Sequence, residues 1–326
     1  MGQPAAVCAH STAAGLSGYA GSSPLKSHVG SGVERALRVF LRHGVADRLA
    51  RRVFIKALPI TPPVIADGAR YLLSEWERQP GEWVDDPGIK GWNDQSVADV
   101  QVRHWPILYR NVQGPGPLGV SHFPTNRSRE DWGDHNTVMS YGYVLARASR
   151  TRDWLAILDW GGGLGHYYLY SRALLPDVAL EYHCYDVPAL CTAGRKLLPE
   201  VQFHEDVEGA LGRQYDLVIS SSSLHYCRNW QAVLRRLAAV TSGFLYVARL
   251  QTVLHEPSFV AIQRPHQFGY FTEYLSWLIN REEFLDYVAS AGLELVREFV
   301  FAERWPVRGS REQGGSRGFL LRHRGP

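Results

Sequence analysis

Residues 157–168 read ILDWGGGLGHYY, and they indicate which fold the rest of the chain takes. An apolar run ends near Asp159, four glycines follow within residues 161–165, and an aromatic stretch comes next. Glycines packed this closely after a strand let the backbone approach a ligand. In an open α/β sheet such a turn lies at the carboxyl end of a strand, where ligands bind. The stretch therefore predicts a ligand-binding turn between a strand and a helix.

From residue 153 onward the hydrophobic pattern alternates between strands and helices. Strands are predicted over 154–160, 178–186, 200–206, 215–222, 243–250, 293–301 and 318–324. Helices are predicted over 164–175, 188–198, 230–240 and 281–291, the last with Asn280 and Glu283 in a capping-box arrangement. The last two strands are joined without a helix, so the seventh should be antiparallel to its neighbours. The pattern predicts an α/β fold with a doubly wound, seven-stranded, Rossmann-like sheet and helices on both faces.

The chain before this region is predicted to contain two further parts. Residues 1–33 are rich in Gly, Ala and Ser and are expected to be a disordered tail. Residues 34–136 are expected to form a helical extension with a lid loop, and residues 137–326 the main domain. Within these parts we predict helices over 66–78, 94–112 (disturbed at Pro106) and 137–149, and a loop over 113–135.

The charge distribution limits the classes of partner. The chain carries +3 overall; residues 1–33 carry +1 and residues 34–56 carry +5, which leaves −3 on residues 57–326. A main domain that is not basic argues against nucleic-acid binding. The basic segment 34–56 has apolar residues every fourth position, as in a membrane-surface helix or a helix that packs on the main domain. We favour packing because Gly44 and Asp47 interrupt its basic face.

Other features of the sequence point to a cytoplasmic protein. No apolar stretch approaches the 18 residues of a transmembrane helix, and the N-terminus lacks the pattern of a secretory signal. Four cysteines occur at no metal-binding spacing, and we expect them to be reduced.

The spacing of the glycines distinguishes between two cofactors. The dinucleotide fingerprint G-x-G-x-x-G starting at Gly161 needs a third glycine at position 166, which is histidine. The order Asp159, Gly161, Gly163, Gly165 instead resembles the first motif of class I S-adenosylmethionine-dependent methyltransferases. The antiparallel seventh strand is similar to that superfamily as well. This resemblance covers about residues 137–325 and implies S-adenosylmethionine as the cofactor.

The resemblance also implies roles for individual residues. Asp186, next to Val187, would accept the ribose hydroxyls, and Asp206, next to Val207, would meet the adenine amino group in preference to Glu205. Ser220 and Ser221 would lie below the reactive methyl group. Asp159 would contact the cofactor's amino group, although Asp159 and Asp186 could instead cap helices. Segments 135–146 and 267–284 resemble a little-characterised group of bacterial methyltransferases.

Candidate residues for the acceptor follow the predicted fourth and fifth strands. His225 is the leading candidate for a general base, against the alternative of a structural histidine at a turn. The insertion 251–279 is expected to cover the acceptor site, and it contributes His266, Tyr270, Glu273 and Tyr274; the loop 113–135 contributes His122 and His135.

The expected reaction is methyl transfer to a hydroxyl of a small molecule, such as a sugar or a natural-product intermediate. The sequence SSSLHY after the fourth strand differs from the Asn/Asp-Pro-Pro-Tyr motif of enzymes that methylate amino groups of nucleic acids and glutamine. No carboxylate set for Mg²⁺ is evident, so metal-independent chemistry is predicted. Two alternatives stay open: an NAD(P)-dependent oxidoreductase, and a non-catalytic partner protein with the methyltransferase fold.

Overall fold

The computed structural model describes residues 71, 74–84, 86, 88–119, 132–265 and 268–325. The predictions for the tail 1–33, the basic segment 34–56, His122 and His266 lie outside these residues. Within the described part of the chain, no helix is long and apolar enough to cross a membrane.

Ten strands are described. They are β1 (Trp76–Arg78), β2 (Trp154–Trp160), β3 (Ala179–Tyr185), β4 (Gln202–His204), β5 (Tyr215–Ser221), β6 (Thr241–Val253), β7 (Phe259–Gln263), β8 (Tyr274–Asn280), β9 (Leu293–Trp305) and β10 (Gly314–His323). Seven of them form the main sheet in the order β4-β3-β2-β5-β6-β10-β9. Strands β2 to β6 run parallel, and β10 is antiparallel to both of its neighbours. The predicted seven-stranded fold is therefore confirmed.

Helices cover both faces of this sheet. They are α1 (Gln95–Gln113), α2 (Trp132–Ala148), α3 (His166–Leu174), α4 (Pro188–Leu197), α5 (Val207–Leu211), α6 (Trp230–Ala239) and α7 (Arg281–Ser290). Two hydrophobic clusters lie on opposite faces, because side chains alternate along each strand: Ile157 belongs to one cluster and Leu158 to the other. Helix α2 begins five residues before its predicted start, and α1 continues through Pro106.

The predicted capping box at the start of α7 is half correct. The Asn280 side chain accepts hydrogen bonds from the backbone N–H groups of Glu282 and Glu283. The Glu283 carboxylate, however, binds the backbone and hydroxyl of Ser258, and that hydroxyl accepts the Asn280 N–H. Ser258 thus replaces the reciprocal half of the box and ties the insertion to α7.

The insertion 251–279 contains strands β7 and β8, which extend the fold beside the main sheet. Residues Thr252 and Val253 at the end of β6 pair with β8, and β7 pairs antiparallel with β8 and with β1. The helix predicted over 66–78 is wrong at its end, because residues 76–78 form β1. Trp76 is buried there and stacks on Trp305, a contact between residues far apart in sequence that overrides the local helical pattern.

Two of the three register shifts along β10 lie near the site. The β6–β10 register shifts near Arg249, and the β9–β10 register shifts near Ala302. Both residues adopt left-handed backbone conformations, with φ of 49° and 59°. Bulges redirect side chains, and here they bring Arg249 and Glu303 together on the face of the sheet that α2 covers.

Candidate active site

The glycine turn follows β2 and depends on residues without a Cβ. Gly161, Gly163 and Gly165 all have positive φ, between 61° and 86°. A Cβ on Gly161 would overlap Ser223, and a Cβ on Gly162 would overlap the Asp159 carboxylate. The turn therefore needs glycine both for its backbone conformation and for its close contacts. Gly162 is thus a small residue in a crowded turn.

Asp186 links the glycine turn to the end of β3. One carboxylate oxygen accepts a hydrogen bond from the Gly163 N–H (2.7 Å) and the other from the Val187 N–H (2.7 Å). Burial raises the pKa of Asp186 to about 6, and these two hydrogen bonds oppose that rise. The N-cap of α4 is Val187, so Asp186 holds the turn in place of capping that helix.

Asp159 lies beneath the glycine turn and is fully buried. The Tyr182 hydroxyl donates a hydrogen bond of 2.9 Å to Oδ2, whereas Oδ1 has no hydrogen-bond partner among the described residues. Burial raises the pKa of Asp159 to about 7; Tyr182 opposes the rise and the nearby charge of Asp186 adds to it. The N-cap of α3 is Gly165, so Asp159 does not cap that helix.

Asp206 has a structural role that the sequence did not assign to it. Its side chain caps α5 by accepting a hydrogen bond of 2.6 Å from the Gly209 N–H. The side chain is exposed, whereas the adjacent Val207 is buried. Glu205 pairs with Arg195. A contact between Asp206 and adenine stays a prediction.

The carboxyl end of β5 is held by serine hydroxyls. Ser220 is fully buried, and its hydroxyl lies 2.8 Å from that of Ser223, which donates to the Trp160 carbonyl. Ser221 lies 2.7 Å from the Tyr167 hydroxyl. Ser222, between Ser221 and Ser223 in the sequence, has a positive φ of 50°. The exit of β5 is therefore fixed against the end of β2 and the first turn of α3.

His225 follows in a short 3₁₀ helix, Leu224–Tyr226. Its exposure is 0%, and neither ring nitrogen has a hydrogen-bond partner among the described residues. Burial, and secondly the charge of Arg249, lower the pKa of His225 to about 3. Its imidazole is therefore neutral at physiological pH, with one ring nitrogen that can donate a hydrogen bond and one that can accept.

Arg249 lies close enough to His225 to act on it electrostatically, and it was not predicted from the sequence. Its guanidinium forms ion pairs with Asp134 (3.0 Å) and Glu303 (2.6 Å). These two carboxylates raise the pKa of Arg249 against the effect of burial, so it is always charged. An arginine within the apolar strand run GFLYVARL was the signal in the sequence, and Glu303 could be identified as its partner only from the bulges.

Tyr270 and Tyr274 from the insertion meet two further rings close to His225. Trp92 stacks on Tyr274 (centroids 4.6 Å apart) and lies edge-on to Tyr226 (5.3 Å) and Tyr270 (6.3 Å). Tyr226 packs on His225 with centroids 4.3 Å apart. The structure therefore brings two of the predicted acceptor residues to the leading catalytic candidate.

Gln101 of α1 connects these rings with the glycine turn. Its Oε1 lies 3.3 Å from the position that a Cβ on Gly163 would take, and its amide lies beside the Tyr270 hydroxyl. Trp92 and Gln101 were missed because the predicted helix 94–112 gave no reason to bring its N-terminal end to the sheet.

Two other residues predicted for the acceptor site, Glu273 and His135, have no described contact with His225. Glu273 is ion-paired with Arg264, with 2.8 Å between Oε1 and Nε. His135 lies half-buried in the first turn of α2. The described residues contain no group of three or more side chains that could hold a metal ion, and metal-independent chemistry stays a prediction.

The match to a family model establishes the class of protein. Residues 139–298 match the model described as a methyltransferase domain. The chain is thus a methyltransferase of the class I superfamily, an enzyme whose cofactor is S-adenosylmethionine. This finding sets aside both the nicotinamide oxidoreductase and the non-catalytic alternative. No curated protein matches the chain in sequence.

Solved structures with a similar fold include other methyltransferases. The CcbJ methyltransferase from Streptomyces caelestis is 14% identical, with 71% of this chain and 100% of that chain covered and a TM-score of 0.41. The 1,6-didemethyltoxoflavin-N1-methyltransferase from Burkholderia thailandensis is 14% identical, with 76% and 99% covered and a TM-score of 0.38. Both identities are below 25%, so neither acceptor is assigned to this chain.

Proposed function

We propose that this enzyme transfers a methyl group from S-adenosylmethionine to a hydroxyl of a small molecule, with His225 as the general base. The observation that carries the proposal is the buried, neutral imidazole of His225, whose two nitrogens lack partners among the described residues. It lies just past β5, two residues after Ser223, which contacts the glycine turn. A base in this position can take a proton from a hydroxyl as the hydroxyl attacks.

The residues at the glycine turn fit the cofactor. Both Asp186 oxygens accept one backbone N–H each, and a carboxylate has lone pairs left to accept two ribose hydroxyls. The buried Asp159 Oδ1 is a second acceptor without a partner among the described residues, suited to the cofactor's ammonium group. When bound, the cofactor supplies an electrophilic methyl group on a sulfonium. Gly161, Gly163, Gly165 and Val187 would hold it through their backbones, with Asp206, Val207, Ser220 and Ser221 completing the proposed binding set.

His225 acts on the acceptor oxygen, because its neutral imidazole can accept the hydroxyl proton as the hydroxyl attacks. Arg249 is ion-paired with both Asp134 and Glu303, so its charge gives no preference between a hydroxyl and an amine. The expected gain from general-base catalysis is about 10²–10⁴-fold in rate.

The proposal also covers the class of acceptor, the cellular location and the domain division of the enzyme. The net charge of −3 on residues 57–326 supports a small-molecule acceptor over nucleic acid. The thiols of Cys184 and Cys191 donate hydrogen bonds to backbone carbonyls, which supports the cytoplasmic location that the sequence predicts. A helical extension before the methyltransferase domain stays part of this proposal, but its boundary cannot lie between residues 136 and 137, because α2 (Trp132–Ala148) is continuous across them.

Incubation with isotope-labelled S-adenosylmethionine and pooled small molecules tests the proposal, with mass spectrometry to locate the label. We expect labelled methyl ethers, and their loss in His225→Asn while S-adenosylhomocysteine still binds. His255→Ala, a change at an exposed histidine away from the site, is the matched control. Label found only on nitrogen, carbon or sulfur would contradict the proposed reaction.

A further inference from the structure

We infer that Tyr182 is a positioning residue for cofactor binding, because its hydroxyl holds the Asp159 carboxylate beneath the glycine turn as an anion that attracts the cofactor's ammonium group. This inference rests on the proposed function, in which Asp159 faces that ammonium group. It goes further by naming the residue that controls the charge of Asp159. The effect passes through one buried hydrogen bond and the charge that this bond stabilises.

The parallel pairing of β2 and β3 places Tyr182 on the same face of the sheet as Asp159. In this register Ile157 lies opposite Tyr182, and Asp159 lies opposite Cys184. Side chains two residues apart along a strand point to the same face. The Tyr182 hydroxyl therefore reaches the carboxylate two positions further along β2, where it donates a hydrogen bond of 2.9 Å to Asp159 Oδ2.

The Tyr182 ring is fixed by its surroundings. It is 2% exposed, and Tyr168 packs edge-on against it with ring centroids 5.3 Å apart. Most of the side-chain entropy of this tyrosine is therefore lost on folding, before any cofactor binds. Tyr182 thus presents a pre-ordered donor to the carboxylate.

The two oxygens of the Asp159 carboxylate differ in their partners. Oδ2 accepts the Tyr182 hydrogen bond, whereas Oδ1 is buried and has no hydrogen-bond partner among the described residues. A Cβ on Gly162 would overlap this carboxylate, so the group lies directly beneath the backbone of the turn. A buried anion at this position attracts a cation bound against the turn, and Coulomb attraction needs no open channel between the two groups.

The Tyr182 hydrogen bond decides how much of Asp159 is charged at physiological pH. Burial raises the pKa of Asp159 to about 7; the Tyr182 hydrogen bond opposes this rise, and the charge of Asp186 adds to it. Burial also raises the pKa of the other titratable groups facing Asp159, which therefore stay neutral: Tyr141 on α2, Tyr167 on α3 and Cys184 on β3. Without the Tyr182 hydrogen bond, Asp159 would be largely protonated at pH 7 and would attract the ammonium group weakly.

Calorimetric Kd values of S-adenosylhomocysteine for the full chain, measured between about pH 6 and 9, test the inference. In the unmodified protein, Kd should fall as pH rises through about 7, because Asp159 ionises there. Tyr182→Phe removes one hydrogen bond to a charged group, which should move this midpoint up by about one pH unit. The Kd ratio of variant to unmodified protein should then be about fivefold at pH 7 and approach one at about pH 9. Titration of the ligand's own amine cancels in this ratio.

Tyr215→Phe is the matched control. Tyr215 is fully buried, and its hydroxyl donates a similar hydrogen bond (2.7 Å) to the Ala210 carbonyl, at the opposite end of β5 from the site. This variant should leave the Kd and the midpoint unchanged. Replacement of Tyr182 by 3-fluorotyrosine, whose hydroxyl is a stronger donor, should move the midpoint down. That second variant tests the same hydrogen bond with the ring retained, should Tyr182→Phe fail to fold.

The outcomes separate this inference from the proposed function. A Kd raised equally at every pH in Tyr182→Phe would show a merely structural role and overturn the inference. Weaker binding by Asp159→Asn, with an unshifted midpoint in both Tyr182 variants, would overturn the inference and leave the proposed contact of Asp159 standing. Normal affinity of Asp159→Asn at every pH would overturn that contact and the inference with it, whereas methyl transfer to a hydroxyl is tested separately by the position of the label.

Discussion

The turn after β2 and the exit of β5 lie close together but are built in different ways. At the turn, the carboxylate of Asp186 has a backbone donor on each oxygen. Beyond the exit, His225 and Tyr274 bury polar atoms that lack partners among the described residues, and Ser222 and Arg249 have left-handed backbones. Strain and unpaired polar groups of this kind concentrate at functional sites. The first region also leaves Asp159 Oδ1 without a partner among the described residues. We propose that the cofactor completes the first region and the acceptor the second.

The largest effect is expected at the glycine turn. Gly161→Val places a side chain against Ser223, at a position whose φ of 74° is strained for any residue with a Cβ. We therefore expect loss of measurable S-adenosylhomocysteine binding by calorimetry. Gly292→Val is the matched control: Gly292 has φ of 76°, and a Cβ there would meet nothing within 4 Å. Equal binding by both variants would contradict the close contact that we assign to the turn.

The second effect concerns His225 alone. His225→Asn should lower kcat by about 10²–10⁴-fold and leave cofactor affinity unchanged within twofold, because none of the contacts described for His225 reaches the glycine turn. Steady-state kinetics with the acceptor from the screen measures this. A normal kcat would show that His225 is a structural histidine and not the base, which is the alternative left open by the sequence.

A third, smaller effect is a pH dependence of stability. The folded protein raises the pKa of Asp159 to about 7 and of Asp186 to about 6, from the ordinary aspartate value of 3.8. The folded state thus holds protons that the unfolded chain releases between pH about 4 and 7, and the stability of the ligand-free protein falls as pH rises through that window. Asp159→Asn should therefore raise Tm at pH 8 and change it little near pH 4.

Thermal unfolding without ligand at several pH values checks this, with Asp177→Asn at an exposed aspartate as control. The same Asp159→Asn variant should bind S-adenosylmethionine more weakly, since it lacks the carboxylate charge. Equal Tm gains for the two variants at pH 8 would show that burial of Asp159 is not the cause.

The smallest effect distinguishes two buried tyrosine hydroxyls. Tyr167 bonds to Ser221 at the β5 exit (2.7 Å), and Tyr141 bonds to Ser171 within the helical layer (2.6 Å). Tyr167→Phe and Tyr141→Phe should each cost about 1 kcal/mol of stability in chemical denaturation. Only Tyr167→Phe should also lower kcat, because only Tyr167 holds the exit. Equal kcat values for the two variants would show that the Tyr167–Ser221 hydrogen bond has no role in catalysis.

The difference between the regions explains what the sequence could predict. The glycine turn and the alternation of strands and helices depend on local spacing, so the seven-stranded fold and its antiparallel last strand could be predicted. Arg249, Glu303 and Trp92 reach the site through bulges and long-range contacts, which leave no periodic signal. Asp206 shows the reverse case: its cofactor contact stays a prediction, and the structure shows a helix cap that spacing alone did not reveal.

The central claim is that the glycine turn after β2 holds the cofactor, whereas His225 beyond β5 performs the proton transfer. Its most direct test is the calorimetric Kd of S-adenosylhomocysteine for Asp186→Asn and His225→Asn, measured side by side. We predict a Kd at least about tenfold higher for Asp186→Asn, the loss of one or more hydrogen bonds to a charged group, and a Kd within twofold of the unmodified protein for His225→Asn. An unchanged Kd in Asp186→Asn, or an equal loss in both variants, would contradict the account.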